Sequence, residues 1–182
     1  MARKKKSAKS NRKRLFIGAL LLVSALLVLV SLTTHAIIDD QRITGEIDPH
    51  LNPFEISYHN QGGMLGAYFA YVLFVVLGWL AYFIPLGVIF VSLRLFSSAM
   101  AVRFEAHSVL LFLISLLSTM IYDIHLVTGG GTEIIFPAGG LVAQKLTELS
   151  VKVLGGTGSN LVLLGAILVL LLLYTSVTPF LA

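Results

Sequence analysis

The side chains that could bind a metal ion are few and widely spaced. His35, His50 and His59 follow one another at intervals of fifteen and nine residues in an irregular stretch, and the chain has no cysteine. Metal sites in proteins draw their ligands from short, recurring spacings of histidine, cysteine and carboxylates. These histidines therefore predict no metal site, and no cofactor is expected.

A glycine-rich stretch near the C-terminus has the composition of a phosphate-binding loop. It reads Gly155-Gly156-Thr157-Gly158-Ser159. It lacks the Lys-Ser or Lys-Thr pair that closes a P-loop, and Leu161 stands where the dinucleotide fingerprint requires its last glycine. The stretch therefore predicts no nucleotide site.

Two serines in an apolar stretch, Ser115 and Ser118, have the chemistry of a nucleophile in an intramembrane hydrolase. A serine nucleophile needs a base within hydrogen-bonding reach, and none falls in the same layer of the predicted helix. Helical serines usually bond to carbonyls of their own helix or of a neighbouring one. No catalytic residue is predicted, and the chain is not expected to be an enzyme.

The elements that would position any such chemistry are membrane helices. Of the 182 residues 57% are apolar and only 12% are charged, whereas soluble domains carry about 25% charged residues. A spanning helix needs about 20 mostly apolar residues. Four stretches reach or approach this length: residues 15–32, 64–93, 106–122 and 161–177. The sequence therefore predicts an all-α membrane fold of four transmembrane helices over residues 15–182, plus one short amphipathic helix in a loop.

The second apolar stretch is too long for one straight crossing. As a helix it would extend about 45 Å, against a hydrocarbon core of about 30 Å. Pro85 lies inside it, and the proline ring removes the hydrogen bond to the carbonyl of Ala81 and crowds that turn. We expect the helix to break at Pro85.

Charged groups avoid the middle of all four stretches. Glu105, His107, Asp123 and His125 lie near the predicted ends, where water can solvate them. Transport of ions or polar substrates usually needs ionisable groups within the membrane. Transport is therefore disfavoured, and it stays the alternative hypothesis, as a small polytopic transporter or channel subunit with a polar path at broken helices.

The basic residues predict the orientation in the membrane. Eight of the thirteen Lys and Arg residues lie in the tail 1–14. Arg94 and Arg103 lie in the turn between the second and third spans, whereas the loops 33–63 and 123–160 hold only three basic residues. By the positive-inside rule, the tail and the C-terminus are cytoplasmic and both loops are outside. The tail lacks aromatic residues for stacking on bases, so no direct nucleic-acid contact is expected.

The pattern changes to amphipathic over residues 141–154. Apolar residues recur at steps of four, three and four: Val142, Leu146, Leu149 and Val153. Polar residues gather on the opposite face and are predicted to contact a partner: Gln144, Lys145, Glu148 and Lys152. This pattern predicts a short helix ended by Gly155-Gly156, either lying in the outer membrane interface, or against a partner, or packed beneath the loop.

Small residues line the start of the second stretch at helix-packing spacing. Gly62, Gly66 and Ala70 form a small-xxx-small-xxx-small pattern with Gly63 beside it. Such a stripe lets two helix backbones approach closely, and the two helices can belong to one chain or to two. We therefore predict helix packing at these residues. The sequence as a whole shows no convincing internal repeat.

Two stretches carry a double glycine with further glycines at fixed points beyond it. The first is Asn60-Gln61-Gly62-Gly63-Met64-Leu65-Gly66-Ala67, followed by Gly78, Ala81, Tyr82 and Pro85. The second is Ala138-Gly139-Gly140-Leu141-Val142, followed by Gly155-Gly156-Thr157-Gly158. Both stretches resemble the N-terminal membrane domain of FtsK-type DNA translocases, the FtsK/SpoIIIE family. Four crossings with cytoplasmic ends agree with the resemblance over nearly the whole chain.

The resemblance implies a role at the bacterial division septum. The family's membrane domain anchors a hexameric, ATP-driven DNA pump in the inner membrane, contacts other division proteins there and links division to chromosome segregation. It therefore implies membrane lipids, division-site membrane proteins and further copies of the chain as partners. The family's motor, with its phosphate loop, is absent from this chain.

Overall fold

The structure is a computed structural model that describes residues 2–47, 49–50, 52–96, 103–129 and 138–177. Its described part consists of helices joined by turns and irregular loops, and it contains no strand. The helices are α1 Ala2–Thr33, α2 Ile37–Ile43, α3 Gly63–Leu77, the 3-10 helix Gly78–Tyr82, α4 Phe83–Phe96, α5 Arg103–Gly129 and α6 Gly140–Val177.

Four helical stretches are long and apolar enough to cross a membrane. They are Arg12–Thr33, Gly63–Phe96, His107–His125 and Gly140–Thr175. The predicted all-α fold with four membrane-spanning helices is confirmed. Helix α1 runs without interruption from the basic tail into the first span. Side chains of the tail up to residue 11, and those of Arg103 and Glu105, lie outside the described residues.

In the first of two compact units, α1 and α4 form an antiparallel pair. At one end Arg14 donates from Nη2 to the carbonyl of Arg94 at 3.0 Å. One turn further along, Ser92 Oγ donates to the carbonyl of Gly18 at 2.6 Å. Gly18 permits this approach, since a Cβ there would lie 3.2 Å from Leu95 Cβ.

The segment that precedes α4 contacts the C-terminal end of α1 at two places and does not run alongside it. A Cβ built on Gly66 would lie 2.7 Å from Ser31 Oγ. Tyr82, sixteen residues later, donates from its hydroxyl to the carbonyl of Leu32 at 3.1 Å. Sixteen helical residues extend about 24 Å, yet both contacts fall on adjacent residues of α1.

The break in the second apolar stretch lies just before the predicted position. The helix changes to 3-10 geometry over Gly78–Tyr82, and Gly78 has φ +56°. Pro85 is buried in the first turn of α4, where its missing N–H has no intrahelical acceptor to lose. The break therefore occupies the turn that the proline ring crowds, and Pro85 itself is helical.

In the second unit, α5 packs against both parts of α6. The ring of His107 contacts that of Tyr174 edge to face, with centroids 5.1 Å apart. Further along, the buried residues Met120, Ile124, Ala143 and Leu163 form a small core. The segment 156–177 therefore runs antiparallel to α5.

Helix α6 is two helices joined at a sharp bend. Gly155 has φ 71° and ψ 169°, which is not helical. Ser150 Oγ and Ser159 Oγ lie 2.9 Å apart, although nine residues of straight helix extend about 13.5 Å. The predicted short helix is therefore the segment 140–154, which we call the crossing segment of α6, and Gly155 ends it.

The second unit also includes residues 72–81, and these meet the start of α6 through backbone atoms. Trp79 N–H donates to the carbonyl of Ala138 at 2.9 Å. A Cβ on Gly140 would lie 2.5 Å from the backbone nitrogen of Leu77, and one on Gly78 would overlap the carbonyl oxygen of Ala138. Because Gly78 and Gly140 have no Cβ, the backbone of the helix break at Gly78 directly contacts the turn that begins α6.

Two stretches of the chain, 62–78 and 139–155, repeat the same glycine spacing and backbone conformation, so the sequence-based expectation of no repeat is wrong. Gly63 and Gly140 each follow another glycine, begin a helix and have φ +63°. Fifteen residues later, Gly78 and Gly155 each end that helix with a positive φ. The preceding glycines, Gly62 and Gly139, each face a hydroxyl, from Ser31 and Thr119 respectively. The side chains between these glycines differ, which hid the repeat.

We predict that Gly78→Ala destabilises the protein and that Gly87→Ala does not. The first substitution places a Cβ at positive φ, which costs about 1–2 kcal/mol, and drives it into the Ala138 carbonyl. A Cβ at Gly87, in α4, would meet nothing within 4 Å. Thermal unfolding in one detergent measures both. Equal midpoints for Gly78→Ala and the parent protein would contradict the proposed backbone contact.

Candidate functional site

A hydrogen-bond network fixes the loop between α2 and α3 to the end of α1. The Asp39 side chain is 1% exposed. It accepts the backbone N–H of His59 at 2.9 Å and that of Asn60 at 2.8 Å. Asn60 in turn donates from Nδ2 to the carbonyl of Ser31 at 2.7 Å. A buried carboxylate with two N–H donors is well satisfied, so this loop is held in a defined conformation.

The predicted helix-packing glycines lie against this network. A Cβ on Gly62 would lie 2.5 Å from Ser31 Oγ, and one on Gly66 would lie 2.5 Å from Asn60 Oδ1. Ala70, one turn further, is fully buried. Gly63 has open space, with nothing within 4 Å of its Cβ position. The close contacts of Gly62 and Gly66 therefore lie within one chain.

Polar side chains surround the network on its exposed edge. His35 Nε2 lies 2.8 Å from Asp40 Oδ2, and the Asp40 side chain is buried. Arg42 donates to the carbonyl of Ser57. In the described residues, no group of three or more histidine, aspartate or glutamate side chains is placed to hold a metal ion. The geometry is that of a folded loop tied down by charge-assisted hydrogen bonds.

Burial also affects a tyrosine in this loop. The rings of Tyr58 and Tyr68 lie 6.3 Å apart and tilted by 59°. Burial, with Tyr68 beside it, raises the pKa of the Tyr58 phenol above its ordinary value. The phenol therefore stays neutral at physiological pH and behaves as an amphipathic packing group.

The crossing segment of α6 packs through a face that the sequence analysis did not single out. Its buried positions are small: Ala143 and Thr147 are fully buried, and Thr147 Oγ1 donates to the carbonyl of Met120 at 3.4 Å. The predicted apolar stripe is exposed: Val142 38%, Leu146 40%, Leu149 60% and Val153 71%. The segment therefore has three faces: small residues against α5, an uncovered apolar stripe, and a charged face.

The charged face includes three of the four predicted partner-contact residues. Lys145, Glu148 and Lys152 are exposed, whereas Gln144 is half-buried. Lys145 Nζ and Glu148 Oε2 form an ion pair at 2.8 Å. The face is therefore presented to the surroundings by a helix that is fixed on α5 from behind.

One titratable group is not where the sequence analysis expected it. Asp123 was expected at a solvated span end, but it is 3% exposed and lies beside the backbone of Ala138. His125 is exposed. The turn before α6 covers the Asp123 carboxylate, because α6 crosses α5 at this level.

Sequence reasoning missed Asp39, Ser31 and Asn60 as the residues that hold the loop. The acidic pair Asp39-Asp40, a few residues from a predicted span end and opposite Asn60-Gln61-Gly62-Gly63, was the available signal. Nothing in the sequence distinguishes Asp39 from the other carboxylates of the loop. Its role depends on two backbone N–H groups that are twenty and twenty-one positions away.

A family model described as the 4TM region of DNA translocase FtsK/SpoIIIE matches residues 10–181. No match is found among curated proteins or solved structures. The family match extends over all four apolar helices and both double-glycine turns.

We predict that Asp39→Asn destabilises the loop by about 1–3 kcal/mol, because the amide NH2 would face one of two N–H donors. Glu46→Gln is the matched control: it removes the same charge from an exposed residue of the same loop. Thermal unfolding and limited proteolysis of the loop measure both variants. If the unfolding temperature and the rate of loop cleavage are the same in Asp39→Asn as in Glu46→Gln, the network does not hold the loop.

Proposed function

The chain belongs to the family of FtsK/SpoIIIE four-transmembrane regions, and we propose that it anchors and assembles a DNA translocase at the division septum of the bacterial inner membrane. In this role it links cell division to chromosome segregation. The family match over residues 10–181 is the observation that carries the proposal. The matched region is the membrane part of the translocase and not its ATPase motor, so the work of this chain is contact and positioning.

The charge distribution supports an orientation with both termini in the cytoplasm. Arg14, at the end of the basic tail, donates a hydrogen bond to the carbonyl of Arg94 at 3.0 Å. The end of the basic tail and the C-terminal end of α4 therefore lie together in the α1–α4 pair. Clustered Lys and Arg residues favour the cytoplasmic side, and there they also attract anionic lipid headgroups.

The opposite end of that pair carries the network around Asp39. In the proposed orientation this loop faces outward, where other division proteins present their own outer domains. A loop fixed by buried hydrogen bonds pays little conformational entropy on binding. The acidic side chains of its exposed part, such as Glu46 and Glu55, are then free to act as rim contacts.

The charged face of the crossing segment of α6 is the second proposed contact surface. Lys145, Glu148 and Lys152 project from a helix that is packed on α5. Exposed charges at an interface rim contribute modestly to affinity and more to the choice of partner. We propose that this face helps to recognise division-site membrane proteins.

We expect the tagged chain, expressed without a motor, to collect at division sites and to recover division proteins on affinity purification. Diffuse membrane fluorescence with no recovered division protein would contradict the proposed function. Uptake of ions or solutes by proteoliposomes, combined with diffuse localisation, would instead favour a transporter or channel subunit.

A charge reversal tests the contact face directly. Lys145→Glu with Lys152→Glu should lower the recovery of division proteins at least about threefold, the effect of about 0.6 kcal/mol in exposed ion pairs. Lys145→Arg with Lys152→Arg keeps both charges and is the control. Equal recovery of division proteins with both double variants would show that the α6 face is not a contact surface. Septal localisation of each variant measures anchoring independently.

A further inference from the structure

The internal repeat contains one docking contact that is made and a second that is left open. We number the turns and the helix breaks of the repeat in chain order. The second turn is Ala138-Gly139-Gly140, and the first break is Gly78-Trp79. The contact that is made joins these two. Trp79 N–H donates to the Ala138 carbonyl at 2.9 Å. Both glycines at the contact, Gly78 and Gly140, have positive φ and leave no room for a Cβ.

The repeat supplies a second copy of each half of this contact. The equivalent of the second turn is Gln61-Gly62-Gly63, which we call the first turn. The equivalent of the first break is Gly155-Gly156, the second break. Gly63 and Gly155 have φ +63° and +71°, and nothing lies within 4 Å of either Cβ position.

Burial distinguishes the joined halves from the open ones. Gly139 and Gly140 of the second turn are buried, whereas Gly62 and Gly63 of the first turn are exposed. After the first break, Leu80 and Ala81 are 2% and 0% exposed. Their counterparts after the second break, Thr157 and Gly158, are exposed and half-buried.

We propose that the first turn of one copy of this chain docks into the second break of another copy. The interface would repeat the contact seen within the second unit, with the Gln61 carbonyl accepting from the N–H of Gly156 and Gly63 lying against Gly155. The partner is a second copy because the same chain carries both open halves in the form that already fits. This inference rests on the proposed assembly role and specifies its interface.

The fit depends on glycine on both sides. A positive φ at Gly155 turns the chain so that its backbone is uncovered on one side, and the absence of a Cβ lets another backbone approach. The residues around this break are apolar and uncovered, with Val153 71% and Leu161 75% exposed. A docked turn would cover part of this apolar rim.

The predicted contact is head to tail, since the two surfaces that meet are different. Each copy offers one first turn and one second break, so every copy added leaves one of each open. A heterologous contact of this kind closes into a ring when the rotation per copy permits and otherwise extends as a filament.

The absence of cysteine from the chain allows a direct cross-linking test. We expect membranes that contain both Gln61→Cys and Gly156→Cys chains to yield a dimer with a short bifunctional thiol reagent. Because each chain carries one cysteine, a Gln61–Gly156 cross-link must join two copies. The control is Gln61→Cys with Glu148→Cys, an exposed residue of the crossing segment, which should give several-fold less dimer. Equal dimer yields from the two mixtures, or none, would overturn the inference.

A second variant tests the contact without cross-linking. Gln61 is exposed, so Gln61→Trp should fold normally and obstruct docking, shifting the protein to monomer on native electrophoresis. Asn52→Trp, also exposed in the same loop, should leave the oligomer unchanged. An unchanged oligomer in Gln61→Trp would contradict the interface. If the chain localises to the septum but fails to cross-link, the inference is wrong and the proposed function stands. If it cross-links but does not localise to the septum, the interface stands and the proposed function is wrong.

Discussion

Unpaired backbone groups in an apolar solvent are the constraint on which this structure depends. Hydrocarbon offers no hydrogen bonds, so any break in a membrane helix must find partners for its N–H and C=O groups within the protein. The helices that the structure describes have two such breaks, at Gly78 and Gly155. At the first, another part of the backbone supplies the partner, since the Ala138 carbonyl accepts from Trp79 N–H. Glycine makes that arrangement possible, because only a residue without a Cβ allows two backbones to touch.

The same constraint explains which parts of the fold could be predicted. Length and hydropathy predict four spans, because burial in hydrocarbon requires long apolar runs whatever their packing. That α3 does not run alongside α1 was not predictable from hydropathy, since α3 is apolar on all sides and has the same composition as a spanning helix. Pro85 indicated the region of the break, but the exact turn depends on the positive φ of Gly78. The internal repeat lies in backbone conformation and glycine spacing, which composition does not reveal.

The candidate sites were predictable to a similar degree. The periodicity over residues 141–154 gave a helix with the correct end at Gly155 and a charged face that the structure exposes. It gave the wrong packing face, because apolar side chains were expected to face the protein. In a membrane protein small residues such as Ala143 fill that role, and larger apolar side chains face outward. The role of Asp39 arises from tertiary contacts to Asn60 and His59 and has no local signature.

The arrangement of two helix pairs, each entering and leaving the membrane on the same side, is the central claim of this account. It is tested most directly by labelling single-cysteine variants with a membrane-impermeant maleimide in spheroplasts. We expect cysteines at Asn52 and Lys152 to be labelled without lysis and a cysteine at Arg94 to be labelled only after the membrane is permeabilised. Labelling of Arg94→Cys and Lys152→Cys from the same side would contradict it.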